Sequence, residues 1–228
     1  RADESKMEKT GNERGLNGTQ LKQIALASMI VDHAGILLAP ENEILYWSMR
    51  FIGRLAFPLY CFLLVEGFCH TRSVGRYLGR LALFAALSEI PFNLLNNGRP
   101  ADPDHQNVLF TLLLGLLALW GGLLLQNRGQ IPLAALWCVC MAGLAGVLRT
   151  DYGWAGVALI VFLYRYREDG QMRGITGFAT LMLGVSPAEL TSIASFALMD
   201  RYNGEKGGGG NRWLFYLSYP LHILALWA

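Results

Sequence analysis

The sequence predicts an all-α fold, a polytopic bundle of about eight transmembrane helices (seven to nine). Hydrophobic residues make up 53% of the 228 residues and charged residues only 16%, whereas about 25% of residues are charged in an ordinary soluble domain. The mean hydropathy is +0.32. Apolar runs close to the ~20 residues that a helix needs to cross ~30 Å of hydrocarbon recur along the chain. These observations exclude an ordinary soluble domain and indicate a membrane protein.

The predicted helices follow the apolar runs in order. They cover residues 21–39, 47–69, 77–95, 107–125, 131–148, 152–164, 174–199 and 212–228. The seventh run is long and contains Pro187. Because proline removes a backbone donor and kinks a helix, we expect the seventh helix to be broken or kinked there. Residues 1–18 are polar and lack the apolar segment of a signal peptide. They are predicted to form a flexible cytoplasmic arm, followed by the membrane domain at 19–228.

Lysine and arginine in the short loops predict the orientation, because cytoplasmic loops carry an excess of these residues. With the N-terminus inside, the inner segments contain Arg1, Lys6, Lys9, Arg14, Lys22, Arg72, Arg76, Arg80, Arg128, Arg165, Arg167 and Arg173. An eight-span path places the last loop outside, where Arg201, Lys206 and Arg212 fit poorly. We expect a multi-pass protein of the inner (cytoplasmic) cell membrane with a cytoplasmic N-terminus. Its net charge of +2 argues against a nucleic-acid partner.

Ionisable side chains lie inside several apolar runs. A charge near the bilayer centre costs on the order of 2.5–3.5 kcal/mol, so such residues usually face one another or a wet cavity. At a rise of about 1.5 Å per residue, His33 and Glu89 both lie roughly 18 Å from the inner edge. Arg54 lies roughly 20 Å from that edge, and His222 lies near the midplane. Four helices thus bring ionisable groups to one layer, which predicts a common pocket.

Helical spacing predicts how these groups pair. Arg50 and Arg54 are four residues apart and share one helix face, so we expect one of them to pair with Asp32. Asp32 and His33 are adjacent and point about 100° apart. Glu89 is therefore the expected partner that orients His33. A structural alternative stays open, in which the ion pair fixes helix packing and His33 is an interior imidazole.

Two further groups flank this layer. Candidate phosphate-binding residues at the inner edge are His70, Arg72, Arg76 and Arg80, whose spacing of about four residues from Arg72 onward forms a basic stripe. Candidate substrate-binding residues are Arg50, Asn93, Gln106 and Asn107. Each group also has a simpler explanation. The positive-inside rule alone would place cations at the inner edge, and the amide residues would serve only to cap helices. The four cysteines have no Cys-x-x-Cys spacing, so no metal site is predicted.

Short motifs in residues 21–228 are similar to those of a known family. They are Asp32-His33-Ala34-Gly35, Arg50-Phe51-Ile52-Gly53-Arg54-Leu55-Ala56-Phe57-Pro58, Glu66-Gly67-Phe68, Ser88-Glu89-Ile90-Pro91-Phe92, Gln106-Asn107-Val108, Asp151-Tyr152-Gly153, Tyr202-Asn203-Gly204 and Phe215-Tyr216-Leu217-Ser218-Tyr219-Pro220-Leu221-His222. In these motifs and their order, the chain resembles the TraX family of integral membrane proteins, whose best-known member is the conjugative-pilin N-acetylase. The resemblance implies transfer of an acetyl group from acetyl-CoA to an amine or hydroxyl acceptor at or across the membrane. The implied acceptor is a pilin N-terminus or an envelope glycan or polymer.

For acetyl transfer, the predicted catalytic residues are Asp32, His33, Arg54, Glu89 and His222. His33 is expected to be the general base, because imidazole titrates near neutrality, with Glu89 fixing its tautomer. Arg54 or the Asn107 amide would stabilise the oxyanion, and His222 is a second candidate base or an acetyl carrier. Two other classes stay open: a secondary transporter, which also buries charges near the midplane, and a non-catalytic assembly scaffold for pili or envelope complexes.

Overall fold

The computed structural model describes residues 15–39, 41–208 and 212–227, and within these ranges the chain is helical and contains no β-strand. The helices are α1 (Gly18–Leu38), α2 (Glu43–Gly53), α3 (Ala56–His70), α4 (Val74–Asn97), α5 (Val108–Gln126), α6 (Ile131–Val147), α7 (Gly153–Arg165), α8 (Gly170–Gly184), the 3-10 turn η1 (Pro187–Ser192), α9 (Ile193–Asp200) and α10 (Arg212–Trp227). The predicted all-α fold is confirmed. Residues 1–14, most of the predicted arm, lie outside the described ranges.

Among the described residues, four helical stretches are long and apolar enough to cross a membrane. They are α1, the stretch Glu43–His70 that contains both α2 and α3, α4, and α5. The helices α6 and α7 and the segment Tyr216–Leu226 of α10 are apolar but shorter. The structure is therefore a bundle of membrane-spanning helices, as predicted. The crossing number of eight stays a prediction.

The predicted helix 47–69 is divided into α2 and α3 at Arg54 and Leu55. Pro58, in the first turn of α3, has no backbone N–H for the Arg54 carbonyl four residues earlier, and this interrupts the helical ladder. Arg54 closes α2 by donating its N–H to the Arg50 carbonyl. The proline thus fixes a bend inside the bundle and places an arginine on it.

The predicted break near Pro187 is also confirmed, and there the chain reverses direction. The helix α8 ends before η1, and α9 returns beside α8 as the second arm of a hairpin. At the open end of the hairpin, Arg173 Nη2 lies 2.5 Å from Asp200 Oδ1. Further in, Gly177 leaves room for the Phe196 ring, which a Cβ on that glycine would overlap. One long predicted helix is therefore two short antiparallel helices.

This reversal corrects the predicted side of the last loop. Leu16 donates its N–H to the Arg201 carbonyl at 2.7 Å and accepts from Asn203 N at 3.0 Å. The Gly18 N–H donates to the Glu205 carbonyl at 2.8 Å. The loop after α9 thus lies at the N-terminal end of α1 and not at the opposite face. Its cations therefore share a face with Lys22, which removes the poor fit to the positive-inside rule.

Small residues allow the central helices to approach closely, as is usual between helices in lipid. Gly115 on α5 faces Ile160 on α7, and a Cβ at Gly156 on α7 would overlap Thr111 and Phe57. Ile160 and the neighbouring core residue Leu116 are fully buried. Three helices, α3, α5 and α7, therefore meet at Gly156, just below the polar residues described in the next section.

We expect Gly156→Ala to destabilise the protein by about 1–3 kcal/mol, because the added methyl group overpacks this contact. The matched control is Gly143→Ala on α6, where a Cβ meets nothing within 4 Å and helix propensity favours alanine by up to about 1 kcal/mol. Denaturant unfolding in detergent measures both. A Gly156→Ala protein as stable as the Gly143→Ala protein would contradict the close packing.

Candidate functional site

A cavity of about 930 Å³ passes through the bundle between α1, α3, α4 and α10. One end, here called the cationic mouth, is lined by Lys22, His70, Arg72, Arg76, Arg80 and Lys206. The middle is lined by Asp32, His33, Arg50, Arg54 and Tyr60. The other end, here called the opposite mouth, is lined by Asn96, His105 and Asp151. The cavity therefore connects the face that holds the start of α1 with the face that holds the start of α5.

Arg54 is the most connected polar side chain in the middle of the cavity. Its Nη1 lies 2.9 Å from Glu189 Oε1 and 3.3 Å from the Tyr152 hydroxyl. Its Nη2 lies 3.3 Å from Asp32 Oδ1, and its Nε donates to the Arg50 carbonyl at 3.3 Å. Arg54 thus joins α1, α2, η1 and the start of α7.

Asp32 was expected to pair with Arg50 or Arg54, and in the structure it contacts both. Arg50 Nη1 lies 2.6 Å from Asp32 Oδ2, while Arg54 takes the other carboxylate oxygen. With Glu189 included, two guanidinium groups face two carboxylates, so the cluster is formally neutral. This neutrality lets four charged side chains lie inside an apolar bundle.

Glu189 was not among the predicted site residues, although it is fully buried. A signal for it exists in the sequence: an acidic residue two positions after the proline that breaks a long apolar run. The 3-10 turn η1 directs this carboxylate into the bundle, and Thr191 in the same turn donates to the Phe51 carbonyl at 2.8 Å. The broken helix therefore supplies an anion to the site.

The absence of a side chain at Gly53 lets α1 approach α2 beside Asp32. A Cβ on this glycine would overlap the Asp32 carboxylate. Nearby, Ser28 on α1 donates its hydroxyl to the Ile52 carbonyl at 2.5 Å. This hydrogen bond gives a partner to a backbone carbonyl close to the bend. In the sequence Gly53-Arg54, the glycine therefore allows the close contact between α1 and α2, and the arginine supplies the guanidinium that bridges the segments.

The expected partner of His33 is wrong, because His33 contacts His222 and not Glu89. His33 Nδ1 lies 2.6 Å from His222 Nε2. The ring planes differ by 8° and the centroids are 4.9 Å apart. Since the two nitrogens lie between the ring centres, the rings meet edge to edge in a hydrogen bond. A similar predicted depth therefore did not identify the partner.

Hydrogen bonding fixes the tautomer of both imidazoles. His222 Nδ1 lies 2.6 Å from the Ser218 carbonyl oxygen, which can only accept, so this nitrogen carries a proton. In a neutral imidazole the other nitrogen, Nε2, then accepts. His33 Nδ1 must donate to it, and His33 Nε2 is left unprotonated. His33 is one of the residues that line the cavity.

Glu89 belongs to a separate polar cluster between α4 and α5. The Asn107 amide nitrogen lies 2.5 Å from Glu89 Oε2 and 2.8 Å from the Ala85 carbonyl, so both amide hydrogens have acceptors. Asn93 donates to Glu89 Oε1 at 3.4 Å. Both asparagines are buried. The structure thus uses Asn93, Asn107 and Glu89 to join two helices, and the Asn107 amide is not free to stabilise an oxyanion.

Of the predicted substrate-binding residues, Arg50 lies on the cavity wall. Gln106 instead donates its amide to the carbonyls of Asp102 and Pro103, and its backbone pairs with Thr150. Through this pairing the loop before α5 is aligned with the loop before α7. Gln106 therefore shapes the opposite mouth without lining it.

At the opposite mouth, the aligned loops bring His105 Nε2 to 3.9 Å from Asp151 Oδ1. Burial raises the pKa of Asp151, whereas the positive charges of His105 and Arg54 oppose this. The next residue, Tyr152, has a left-handed backbone with φ of 62°, and its ring stacks on Phe57 at 3.7 Å. A strained residue held by its surroundings is typical of a functional site.

At the cationic mouth, Glu66 is held by Arg167. The Arg167 Nε and Nη2 atoms lie 2.6 and 3.2 Å from the two Glu66 oxygens, and these hydrogen bonds raise the pKa of Arg167. His70 Nδ1 lies 2.8 Å from the Glu66 carbonyl. The carboxylate at this end is thus already paired, and the predicted stripe of Arg72, Arg76 and Arg80 faces the cavity together with His70.

The chain is similar to known proteins over most of its length. A sequence profile described as TraX protein matches residues 17–228. The probable fimbrial assembly protein FimC, serogroup H1, of Dichelobacter nodosus is 33% identical over 237 residues, which cover 91% of this chain and 93% of that protein. The uncharacterized protein RP591 of Rickettsia prowazekii (strain Madrid E) is 48% identical over 42 residues, only 18% of this chain and 15% of that protein. No solved structure matches.

We expect Glu189→Gln to lower the free energy of unfolding by about 3–5 kcal/mol, because it removes a fully buried charge and leaves two partly buried guanidinium groups facing one carboxylate. The control is Asp104→Asn, which removes an ion pair with Arg149 that is largely exposed and changes stability by less than about 1 kcal/mol. Denaturant unfolding in detergent compares the two. Equal losses would contradict the bridging role of Arg54.

Proposed function

The chain belongs to the TraX family, and we propose that it is a membrane-embedded acetyltransferase. It moves an acetyl group from cytoplasmic acetyl-CoA to an amine or hydroxyl acceptor at or across the membrane. The observation that carries this proposal is the fixed tautomer of His33, a residue of the cavity wall: the hydrogen bonds of the two imidazoles leave its Nε2 unprotonated. Acyl transfer requires such a base.

In the proposed reaction His33 Nε2 takes the proton of the acceptor as its nitrogen or oxygen attacks the thioester carbonyl. The tetrahedral intermediate then collapses, the carbon–sulfur bond breaks, and the CoA thiolate takes the proton back from His33. The products are the acetylated acceptor and free CoA, so atoms and charge balance. His222 holds the His33 ring in the reactive tautomer throughout, as a positioning residue.

Arg50 is better suited than Arg54 to stabilise the oxyanion. All three nitrogens of the Arg54 guanidinium already have acceptors. Arg50 lies on the same wall with one Asp32 oxygen on its Nη1, and 24% of its side chain is exposed. A guanidinium that keeps donors for the reacting oxygen supplies the electrostatic stabilisation that acyl transfer needs. In this proposal Asp32 and Arg54 position Arg50 through their hydrogen bonds to its side chain and its carbonyl.

The donor enters from the cationic mouth and the acceptor from the opposite mouth. Phosphates of acetyl-CoA are the natural ligands for Arg72, Arg76 and Arg80, with His70 at the rim. The proposal requires the cationic mouth to face the cytoplasm, as it would with the expected cytoplasmic N-terminus in the inner cell membrane. The FimC relative is named as a probable fimbrial assembly protein, which supports a pilus subunit as acceptor, with an envelope glycan or polymer as the other candidate.

A non-catalytic role in pilus assembly is the second candidate function, favoured by the name of the same relative. A transporter is the third, since a cavity with two mouths also suits a solute pathway. Purified protein supplied with acetyl-CoA and cell-envelope fractions separates them. An acetyltransferase releases free CoA and acetylates the acceptor, a transporter moves solute without releasing CoA, and a scaffold does neither.

We expect His33→Ala to lower acetylation by a factor of about 10²–10⁴, the usual contribution of a general base. Mass spectrometry of envelope proteins and glycans, from cells in which the gene is replaced by each variant, measures the acetyl mark. The control is Thr180→Val, which removes a buried hydroxyl that donates within α8 to the Thr176 carbonyl. Normal acetylation by an inserted His33→Ala protein would exclude His33 as the base.

We expect His222→Leu to lower turnover about 100-fold or more, because His33 loses the acceptor that fixes its tautomer. His222→Gln should retain more activity, since its amide oxygen can accept from His33 Nδ1. The measurement is CoA release by purified variants of equal thermal stability. If the leucine and glutamine variants lost equal activity, the tautomer-fixing role of His222 would be wrong.

A further inference from the structure

Two tyrosines of the cavity wall lie on the path from the cationic mouth to the middle of the cavity. Tyr60 is on α3 and Tyr77 is on α4, and both residues line the cavity. Helix α3 gives their depth, because it runs from Ala56, just after the bend at Arg54, to His70 at the cationic mouth. At about 1.5 Å per residue, Tyr60 lies about 15 Å further in than His70.

The Tyr77 side chain reaches from α4 to α3. A Cβ on Gly67 of α3 would lie 3.1 Å from the Tyr77 hydroxyl oxygen and 3.2 Å from its Cε1 atom. The guanidinium carbon of Arg80 lies 5.8 Å from the centroid of the same ring, a cation–π contact that orients it. Gly67 and Tyr60 are seven residues apart, about 10 Å along α3. Since the cavity separates α3 from α4, the ring narrows the passage between the mouth and Tyr60.

The hydroxyl groups of both tyrosines lack hydrogen-bond partners among the described residues. Both oxygens are accessible and are not sealed inside the protein. By contrast, the Tyr152 hydroxyl accepts from Arg54 Nη1. A tyrosine in apolar surroundings normally has a partner for its O–H. The two free hydroxyls therefore indicate a ligand that brings acceptors into the passage.

The rest of this passage is apolar. Leu64 of α3 and Leu81 of α4 line it and are each 3% exposed. A charged ligand group would lose its hydration here, whereas an amide carbonyl needs only the donors that the tyrosines supply. The passage thus suits a slender, neutral chain in which methylene and amide groups alternate.

We propose that Tyr60 and Tyr77 form a subsite for a pantetheine arm and donate hydrogen bonds to its two amide carbonyls. Pantetheine has two amides joined by methylene groups, with a phosphate at one end and the thioester sulfur at the other. Tyr77 binds the amide nearer the phosphate, and Tyr60 binds the amide nearer the sulfur. The arm is thereby guided from the arginine stripe to the middle of the cavity. This inference rests on the proposed function, for which it identifies the residues that hold the donor.

Equilibrium binding by purified protein in neutral detergent tests the subsite without an acceptor. The matched probes are CoA and adenosine 3′,5′-bisphosphate, which keeps the nucleotide but lacks the arm. We expect Tyr60→Phe and Tyr77→Phe each to weaken CoA binding about three- to tenfold, the effect of one hydrogen bond. Binding of the bisphosphate should not change. Phenylalanine keeps the ring, so the packing of the wall is preserved.

Matched controls make the expected pattern specific. Arg76→Gln should weaken both probes, because both contain phosphate. Tyr46→Phe changes a half-buried tyrosine of α2 that does not line the cavity, and it should affect neither probe. Gly67→Ala should weaken CoA selectively by displacing the Tyr77 ring, whereas Gly79→Ala, where a Cβ meets nothing within 4 Å, should not.

CoA and carrier proteins both contain the pantetheine arm, and competition against labelled CoA distinguishes these sources. Displacement by 4′-phosphopantetheine that weakens in the two phenylalanine variants supports the subsite. If acetylated acyl carrier protein displaces labelled CoA better than unlabelled CoA does, and does so through the same tyrosines, the subsite stands and the donor is a carrier protein.

The subsite is overturned if the phenylalanine variants bind CoA as the wild-type protein does, or if they weaken CoA and the bisphosphate equally. A wild-type protein that binds neither probe overturns it as well. If envelope acetylation occurs but CoA binding is independent of the tyrosines, the inference fails and the proposed function stands. If binding depends on the tyrosines but no acceptor is acetylated, the proposed function fails while the subsite stands.

Discussion

The bridge made by Arg54 is the interaction on which the rest of the site depends. Lipid supplies no counter-charge, so ionic groups inside the bundle must neutralise one another. Arg54 contacts Asp32, Glu189 and Tyr152, which belong to three different segments. The proline-induced bend after α2, the 3-10 turn and the start of α7 are each arranged to reach this one guanidinium. His33 follows Asp32 directly in α1, and its position is set by the same constraint.

Sequence reasoning identified the ion pair and the proline break because each has a local cause. Two arginines one helical turn apart near a buried aspartate need a common partner, and Pro187 cannot continue a helical ladder. It could not identify the partner of His33, because helical rise gives depth in the membrane but not the direction in which a helix faces. His222 and Glu89 were equally plausible by depth, and tertiary packing decided between them.

Hydropathy also could not distinguish one kinked helix from a hairpin of two short helices. Both have the same composition, but they leave the following loop on opposite faces. The excess of cations in residues 201–206 was the signal that the predicted path was wrong. Glu189 was missed for a related reason, since its burial depends on a turn that only the reversed path creates.

The hydrogen bond between His33 and His222 joins residues 189 positions apart, and this has a consequence for biosynthesis. During translation α1 is synthesised long before α10. A nascent chain with every earlier helix inserted still holds an imidazole whose proton is free to move between its nitrogens. The fixed tautomer of His33 therefore exists only after α10 has been inserted beside α1, and a chain still in synthesis lacks it.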